Sequence, residues 1–251
     1  PMEKVKVVLW GLGAMGSGMA KDILLNKQGI EIVGALDQHP AKVGKDLGEF
    51  LELGRKLGVT VSAKPEQVLQ KVKADIALYA TQSFVKEVFA DLSLLVKAGL
   101  NVITIAEEMA APQAETPDLA AALDKLAREN GVTILGTGIN PGFVLDTLIL
   151  TLTGACQTVT KIKAARINDL SPFGPTVMKT QGVGMSVEAF QAGVKAGSIV
   201  GHIGFRQSIY LIARALGWEL DKIEETREPI VTEVYRETPH VKVQPGMVAG
   251  C

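Results

Sequence analysis

The chain has 251 residues, of which 47% are hydrophobic and 21% are charged, so it is long enough for one or two globular domains. This composition excludes a disordered tail, a coiled coil and a collagen-like fibre. The 26 basic and 27 acidic residues leave a net charge of −1, which excludes a chain drawn by its overall charge to nucleic acid or to an anionic membrane.

The first half of the chain alternates short apolar runs with segments of helical spacing. Continuous apolar runs of this kind are typical of strands buried on both faces of a sheet. The alternation predicts an α/β domain over residues 1–141, with a parallel sheet covered by helices on both faces. The predicted strands are Val5–Trp10, Ile30–Leu36, Asp75–Ala80, Asn101–Ala106 and Val132–Leu135, and the predicted helices are Ala14–Leu25, Phe84–Ala98 and Leu119–Asn130.

After about Pro141 the sequence no longer alternates apolar strands with helical segments in this regular way. Residues 142–251 are predicted to form an α+β domain. The expected helices are Gly142–Thr153 and Arg206–Leu216. Residues Val159–Asn168 alternate like a half-buried strand, and a Gly/Pro-rich loop is expected at Leu170–Met185. Two β-rich segments, Pro229–Glu237 and His240–Val243, follow the second helix.

A glycine-rich loop with the spacing G-x-G-x-x-G joins the first strand to the first helix. Its glycines allow a tight turn and a close backbone approach to a pyrophosphate at the helix N-terminus, as in the doubly wound Rossmann domain. A generic glycine-rich turn is the alternative. The candidate cofactor-binding residues in the loop are Gly11, Leu12, Gly13, Ala14, Met15 and Gly16.

Asp37 ends the second strand, where a carboxylate that binds a ribose is expected. Such a carboxylate repels a 2′-phosphate and favours NAD. His39, Lys42 and Lys45 follow closely and soften this repulsion, so the predicted cofactor is NAD or NADP. The alternative for Asp37 is a simple turn residue before Pro40.

Polar residues also follow the next two strands, at the sheet edge where ligands bind in such domains. Thr81 and Ser83 come after Asp75–Ala80 and are candidates for the cofactor cleft, with plain capping of the next helix as the alternative. Glu107 and Glu108 follow Asn101–Ala106 and are candidate catalytic residues, because a carboxylate there can accept a proton from an ammonium group or from water. The alternative for both glutamates is a solvated turn.

Five further residues are candidates for substrate binding. Asn140, before Pro141, fits either a helix cap or a substrate ligand. Arg166 and Asn168 are two apart on a predicted strand and therefore share a face, where an arginine suits a substrate carboxylate or a surface ion pair. The other two are Thr176, in the Gly/Pro-rich loop, and His202, which lies between glycines and has a purely structural role as its alternative.

The remaining features favour a cytoplasmic protein without a metal. Cys156 and Cys251 are too few for a disulfide framework, and no basic-then-apolar leader is visible. The longest apolar stretch is interrupted by Asp146 and falls short of the roughly 20 residues that span a bilayer. The histidines and cysteines lack metal-ligand spacing, so no metal site is predicted.

Taken together, these motifs resemble the 2,4-diaminopentanoate dehydrogenase family, which is related to the native amine dehydrogenases. The resemblance covers essentially the whole chain. Dihydrodipicolinate reductase and the N-terminal domains of homoserine dehydrogenases are similar more distantly. The segments that carry the resemblance are Val8–Ala20, Ile103–Met109, Gly136–Asp146, Arg166–Thr176, Gly201–Phe205 and Glu237–Pro239.

The resemblance implies a Rossmann domain followed by a substrate domain that also forms the contact of a homodimer. It implies NAD(P)-dependent oxidative deamination of 2,4-diaminopentanoate to 2-amino-4-oxopentanoate and ammonia, a step of ornithine degradation. The catalytic glutamate of the family falls on Glu107. Its polar residues around the substrate fall on Asn140, Arg166, Asn168 and His202.

Two alternative functions stay open. Chains of that family usually run well beyond the position of Cys251, so a truncated second domain and a catalytically incomplete cofactor-binding module are one alternative. The other is an NAD(P)-dependent reductase or dehydrogenase for another amino-acid-like substrate, of the homoserine or dihydrodipicolinate type.

Overall fold

The computed structural model describes residues 3–251 and builds a six-stranded parallel sheet from the first half of the chain. Its strands lie in the order β3-β2-β1-β4-β5-β6, which is the order of doubly wound dinucleotide-binding sheets. The strand order reverses between β1 and β4, so a crevice opens at their carboxyl ends. The predicted α/β fold is therefore confirmed. The strands are β1 (Val5–Trp10), β2 (Ile30–Leu36), β3 (Val61–Ser62), β4 (Ile76–Tyr79), β5 (Asn101–Thr104) and β6 (Ile134–Gly136).

The helices of this half agree with the predicted ones wherever the helical spacing is long. The three predicted helices are α1, α4 and α5, each correct to within two residues. The three short elements between β2 and β4 were not predicted. They have only two to seven residues each, which is too short for a repeating pattern of apolar residues to be recognised. The helices are α1 (Ala14–Asn26), α2 (Leu47–Phe50), α3 (Pro65–Lys71), α4 (Val85–Lys97), α5 (Pro117–Glu129) and α6 (Thr147–Thr153).

Two apolar cores cover the two faces of the sheet. Successive side chains of a strand point to opposite faces, so Val8 and Trp10 of β1 enter one core and Val7 and Leu9 enter the other. The first core is completed by α4 and α5, and the second includes Ala20 of α1. This arrangement explains why the strands read as continuous apolar runs.

The predicted strand at Asn101–Ala106 ends earlier than expected, at Thr104. The Thr104 hydroxyl is buried and accepts a hydrogen bond from the Ala106 amide at 3.1 Å, which satisfies that amide outside the sheet. The chain then turns into a 3-10 helix at Glu107–Ala110. The two candidate glutamates thus begin a helical turn instead of extending the strand.

Backbone contacts divide the molecule into two units. The first runs to Gln157 and also includes Arg206–Gly217, which is most of helix α9 (Phe205–Leu216). Within this unit Ser208 donates a hydrogen bond to Asp146 at 2.8 Å, and Arg206 pairs with Glu115 at 3.2 Å. The functional division predicted at residues 141/142 stays a prediction.

The second unit, Thr158–Phe205 and Trp218–Cys251, combines helices with short antiparallel strands, as the α+β prediction requires. Phe190, Ile199 and Val248 form its buried cluster. Strand β10 pairs with β7, and β8 pairs with β9. The elements are α7 (Pro175–Thr180), α8 (Val187–Lys195), β7 (Ile230–Val231), β8 (Arg236–Glu237), β9 (Lys242–Val243) and β10 (Val248–Gly250).

Two predictions for the second unit are wrong. Residues Val159–Asn168, all within the described range, form no strand, and the side chain of Ile167 is 96% exposed. The alternating pattern has no neighbouring strand to pair with, so it produces no sheet. The predicted loop Leu170–Met185 contains α7, whose first residue is Pro175, a position that suits proline because its missing amide is not needed there.

Candidate functional site

The glycine-rich loop packs so closely that only glycine fits at two of its positions. Gly11 has a φ of +95°, and a Cβ atom there would lie 2.2 Å from the Ala80 carbonyl oxygen. A Cβ atom at Gly16 would lie 1.8 Å from the Gly11 carbonyl oxygen. Gly13, by contrast, is exposed with open space around it at the start of α1. The loop and the helix N-terminus therefore suit a bound pyrophosphate.

Asp37 is tied directly to this loop. Its Oδ2 accepts a hydrogen bond from the Leu12 amide at 2.8 Å and pairs with the Lys42 ammonium at 2.9 Å, while Oδ1 accepts from the His39 amide at 2.8 Å. Burial acts to raise the pKa of Asp37, but the hydrogen bonds from His39, Lys42 and Leu12 outweigh it and hold the pKa below its usual range. A carboxylate, not a neutral acid, therefore stands beside the loop.

Thr81 lies against the same loop, at the point where the strand order reverses. A Cβ atom at Gly11 would meet the Thr81 methyl carbon at 2.9 Å. The structure thus brings together the glycine loop, Asp37 and Thr81, as the sequence predicts for a cofactor cleft. The role of Thr81 in binding stays a proposal.

Glu107 and Glu108 have different surroundings. The Glu108 side chain accepts a hydrogen bond from the Val85 amide at 2.8 Å, and its own amide donates to the Ser83 carbonyl at 3.1 Å. Ser83 and Glu108 are therefore joined, and Glu108 caps the N-terminus of α4. Glu107 is half-buried, and its carboxylate has no hydrogen-bond or ion-pair partner within residues 3–251. Of the two, Glu107 is the one available to a ligand.

Asn140 does not cap the helix that follows it. The predicted helix Gly142–Thr153 begins only at Thr147, and Asp146 is its cap. The buried Asp146 carboxylate also accepts from the Gly142 amide at 2.8 Å and from the Ser208 hydroxyl. The capping interpretation of Asn140 is therefore wrong, and substrate contact by Asn140 stays a proposal.

The other substrate candidates belong to the second unit. Arg166 and Asn168 do meet, with Arg166 Nε donating to Asn168 Oδ1 at 3.0 Å, although both are exposed and lie on no strand. Thr176 is exposed in the first turn of α7, and no hydrogen bond links it to Arg166 in the described chain. His202 is half-buried, and its ring meets the Phe205 ring edge to face at 5.1 Å.

Two hydrogen bonds near the candidate residues were not predicted from the sequence. Tyr79 and Asp91 form a hydrogen bond behind Thr81, and Ser208 holds Asp146 from 62 residues away. The only sequence signal is a polar group inside an apolar run, since such a group needs a partner when buried. That signal indicates that Tyr79 and Asp146 need hydrogen-bond partners, but it does not predict which residues those partners are.

Three further observations concern residues 3–251 as a whole. Their helices are all too short or too polar to cross a membrane. These residues hold no group of three or more His, Cys, Asp or Glu side chains placed to bind a metal ion. Cys156 and Cys251 are both free thiols.

Family models match both parts of the chain. A model of the 2,4-diaminopentanoate dehydrogenase C-terminal domain matches residues 143–251. A model of the dihydrodipicolinate reductase N-terminus matches residues 5–106, the region of the glycine loop and Asp37. This second match, together with the strand order, indicates a domain that binds NAD or NADP.

Full-length relatives agree with these models. A 2,4-diaminopentanoate dehydrogenase of Acetoanaerobium sticklandii is 48% identical over all of this chain, which covers 71% of the relative. An amine dehydrogenase of Streptomyces virginiae is 30% identical over 89% of the chain, which covers 62% of the relative. The structure of an amine dehydrogenase from Mycobacterium smegmatis matches 99% of the chain with a TM-score of 0.81 and 31% identity, and 73% of that protein is covered. The chain therefore belongs to the 2,4-diaminopentanoate dehydrogenase family.

Proposed function

We propose that the chain catalyses the NAD(P)-dependent oxidative deamination of 2,4-diaminopentanoate to 2-amino-4-oxopentanoate, with release of ammonia. The observation that carries this proposal is the 48% identity, over the full chain, to the Acetoanaerobium sticklandii enzyme. The glycine loop, Asp37 and the carboxylate of Glu107 support it, because they supply a dinucleotide cradle and a proton acceptor within one unit.

Glu107 is the proposed general base. A substrate ammonium has no lone pair to expel a hydride from its carbon, so one proton must first leave the nitrogen, and the Glu107 carboxylate accepts it. The bound dinucleotide supplies the hydride acceptor. Once the ammonium proton has passed to solvent, Glu107 accepts a proton from the water that adds to the resulting imine carbon and returns it to the nitrogen, and the carbon–nitrogen bond breaks to give the ketone and ammonium. Within residues 3–251 no hydrogen bond or ion pair engages the Glu107 carboxylate, which leaves it available for these proton transfers.

The residues of the second unit have proposed roles in substrate binding. Arg166 binds the substrate carboxylate, because a guanidinium donates two parallel hydrogen bonds to two oxygens. Asn168 holds the Arg166 side chain in place through its hydrogen bond. Asn140, Thr176 and His202 orient the polar groups of the substrate. The assignments of Asn140, Arg166, Asn168 and His202 are supported by the family resemblance, and that of Thr176 by its place in the predicted Gly/Pro-rich loop.

NAD is the proposed preferred cofactor. The Asp37 carboxylate stands where a ribose is recognised and repels a 2′-phosphate. Lys42 neutralises part of this charge at 2.9 Å, so the discrimination against NADP is moderate and not absolute. We propose in addition that the enzyme is a homodimer, as the family resemblance implies, and that it is cytoplasmic, as the small number of cysteines favours.

The proposed function is tested by a substrate panel. Purified protein is mixed with 2,4-diaminopentanoate and either NAD or NADP, and reduced cofactor and ammonia are both measured. We expect equal amounts of the two products, with a higher kcat/KM for NAD. Reaction with an amino alcohol such as homoserine, without release of ammonia, would contradict the proposal. Binding of dinucleotide without turnover of any substrate would support a catalytically incomplete module instead.

A further inference from the structure

A chain of three hydrogen-bonding side chains lies behind the cofactor loop. The Tyr79 hydroxyl donates to Asp91 Oδ2 at 2.7 Å and accepts a hydrogen bond from the Thr81 hydroxyl. Tyr79 is the last residue of β4, Thr81 follows it at the crevice, and Asp91 is on α4. This series of hydrogen bonds therefore connects a half-buried carboxylate on a helix with Thr81, an exposed residue beside the cofactor loop.

Tyr79 is held rigidly between the ends of this chain. Its side chain is 1% exposed, and its ring meets Trp10 edge to face with the ring centres 5.6 Å apart. Trp10 and Tyr79 are also paired across β1 and β4, the two strands that flank the crevice. The hydroxyl of Tyr79 therefore has a fixed position relative to the glycine loop.

The direction of the hydrogen bonds is fixed as well. A carboxylate only accepts, so the Tyr79 proton must point to Asp91. Burial is the main reason why the pKa of Tyr79 lies above its ordinary value; the hydrogen bond from Thr81 lowers this pKa, and Asp91 raises it again. Tyr79 thus keeps its own proton, and its oxygen accepts a hydrogen bond from the Thr81 hydroxyl. Because the Thr81 hydroxyl already donates its hydrogen to Tyr79, its oxygen can only accept a hydrogen bond from a further partner.

We propose that Tyr79 and Asp91 are positioning residues for the cofactor, which hold the Thr81 hydroxyl as a hydrogen-bond acceptor for a hydroxyl or amide donor of the dinucleotide. The proposal rests on the proposed use of NAD or NADP. Thr81 is exposed and its methyl carbon borders Gly11, so the residue lies at the crevice where a dinucleotide would bind. The negative charge of Asp91, at the end of this series of hydrogen bonds, polarises the hydroxyls of Tyr79 and Thr81. It therefore makes the Thr81 oxygen a stronger hydrogen-bond acceptor.

A double-mutant cycle on dinucleotide affinity tests this proposal. The dissociation constants of NAD and NADH are measured by calorimetry, without substrate, for wild type, Tyr79→Phe, Thr81→Val and the double variant. Each single change weakens binding about three- to tenfold, the range of one lost hydrogen bond. The double variant binds no more weakly than Thr81→Val alone, because Tyr79 acts only through Thr81. Losses that multiply in the double variant would overturn the proposal.

Further variants separate positioning from general damage to the fold. Thr81→Ser keeps the hydroxyl and retains near wild-type affinity, whereas Asp91→Ala frees the Tyr79 proton to point at Thr81 and weakens binding. Tyr235→Phe is the matched control, since it removes a tyrosine–carboxylate hydrogen bond of 2.8 Å to Glu237 in the second unit and leaves affinity unchanged. Wild-type affinity in Tyr79→Phe or Asp91→Ala would overturn this inference alone. A wild-type protein that bound neither dinucleotide would overturn the proposed function with it.

Discussion

At the scale of single residues, two adjacent glutamates illustrate what a sequence can and cannot predict. The acidic pair after β5 marks Glu107 and Glu108 as candidates, because carboxylates at this sheet edge are suited to proton transfer. The sequence does not separate them, since the difference lies in a contact with the Val85 amide 23 positions away. That contact engages the Glu108 carboxylate at the N-terminus of α4, so Glu107 is the glutamate that remains available for proton transfer.

Asp37 makes the stability of the protein depend on pH in a defined direction. Its pKa is lower in the folded protein than the ordinary value of 3.8, so folding favours the ionised carboxylate. The stabilisation is fully present above the pKa of the unfolded chain and is lost as the pH falls through the lower, folded pKa. We therefore expect the difference in free energy of unfolding between wild type and Asp37→Asn to be constant from about pH 5 to pH 7 and to shrink below about pH 4.

Urea unfolding of both proteins across this pH range measures that difference. A difference between wild type and Asp37→Asn that stayed constant down to pH 3, or grew there, would contradict the assigned hydrogen bonds.

At the scale of secondary structure, the loop and helix α1 allow a matched pair of glycine substitutions. Gly16→Ala places a Cβ atom 1.8 Å from the Gly11 carbonyl oxygen, so the loop must move, and we expect a cost of about 1–3 kcal/mol with weaker dinucleotide binding. Gly18, in the exposed interior of the same helix, has no atom within 4 Å of such a Cβ, so Gly18→Ala should stabilise the protein by about 0.5–1 kcal/mol. Chemical denaturation and dinucleotide titration measure both effects. Changes of the same sign in the two variants would contradict the described packing of the loop.

Helix α6 depends on the buried Asp146. Its carboxylate accepts from Gly142, Thr147 and Ser208, so Asp146→Ala leaves several donors without an acceptor, and we expect a loss of about 3 kcal/mol in free energy of unfolding. Ser186 caps α8 at the surface, and Ser186→Ala should cost about 1 kcal/mol or less. Denaturant unfolding compares the two variants. A similar small loss in both would show that Asp146 is an ordinary surface cap.

The same scale explains why some elements are predictable and others are not. Strand β2 was predictable to the residue, because a run that is apolar except for Glu31 is bounded by Gly29 and Asp37. Residues 159–168 have the alternation of a strand, yet the structure gives them no partner strand, and partners are not encoded locally. Strands β7 to β9 have only two residues each, too few for any period to show.

At the scale of the whole molecule, the doubly wound sheet of the first unit was predictable from the sequence, but the complete path of the chain was not. The strand order of the first unit follows from the glycine loop and the alternation of elements. Residues 206–217 belong to the first unit because of long-range contacts such as the hydrogen bond between Ser208 and Asp146. No local sequence pattern predicts these contacts. Arg166 and His202 were candidates from local sequence, as an arginine on a predicted strand and a histidine between glycines, and the family resemblance added their expected place around the substrate.

The central claim is that one carboxylate, Glu107, removes a proton from the substrate amine, and Glu107→Gln tests it most directly. Glutamine keeps the shape but cannot accept the proton, so we expect kcat for 2,4-diaminopentanoate to fall by about 10²–10⁴-fold, the usual contribution of a general base. The dissociation constant of NADH should stay near the wild-type value, and Glu129→Gln, on the exposed end of α5, should leave both quantities unchanged. A Glu107→Gln enzyme that retained wild-type turnover would contradict the account.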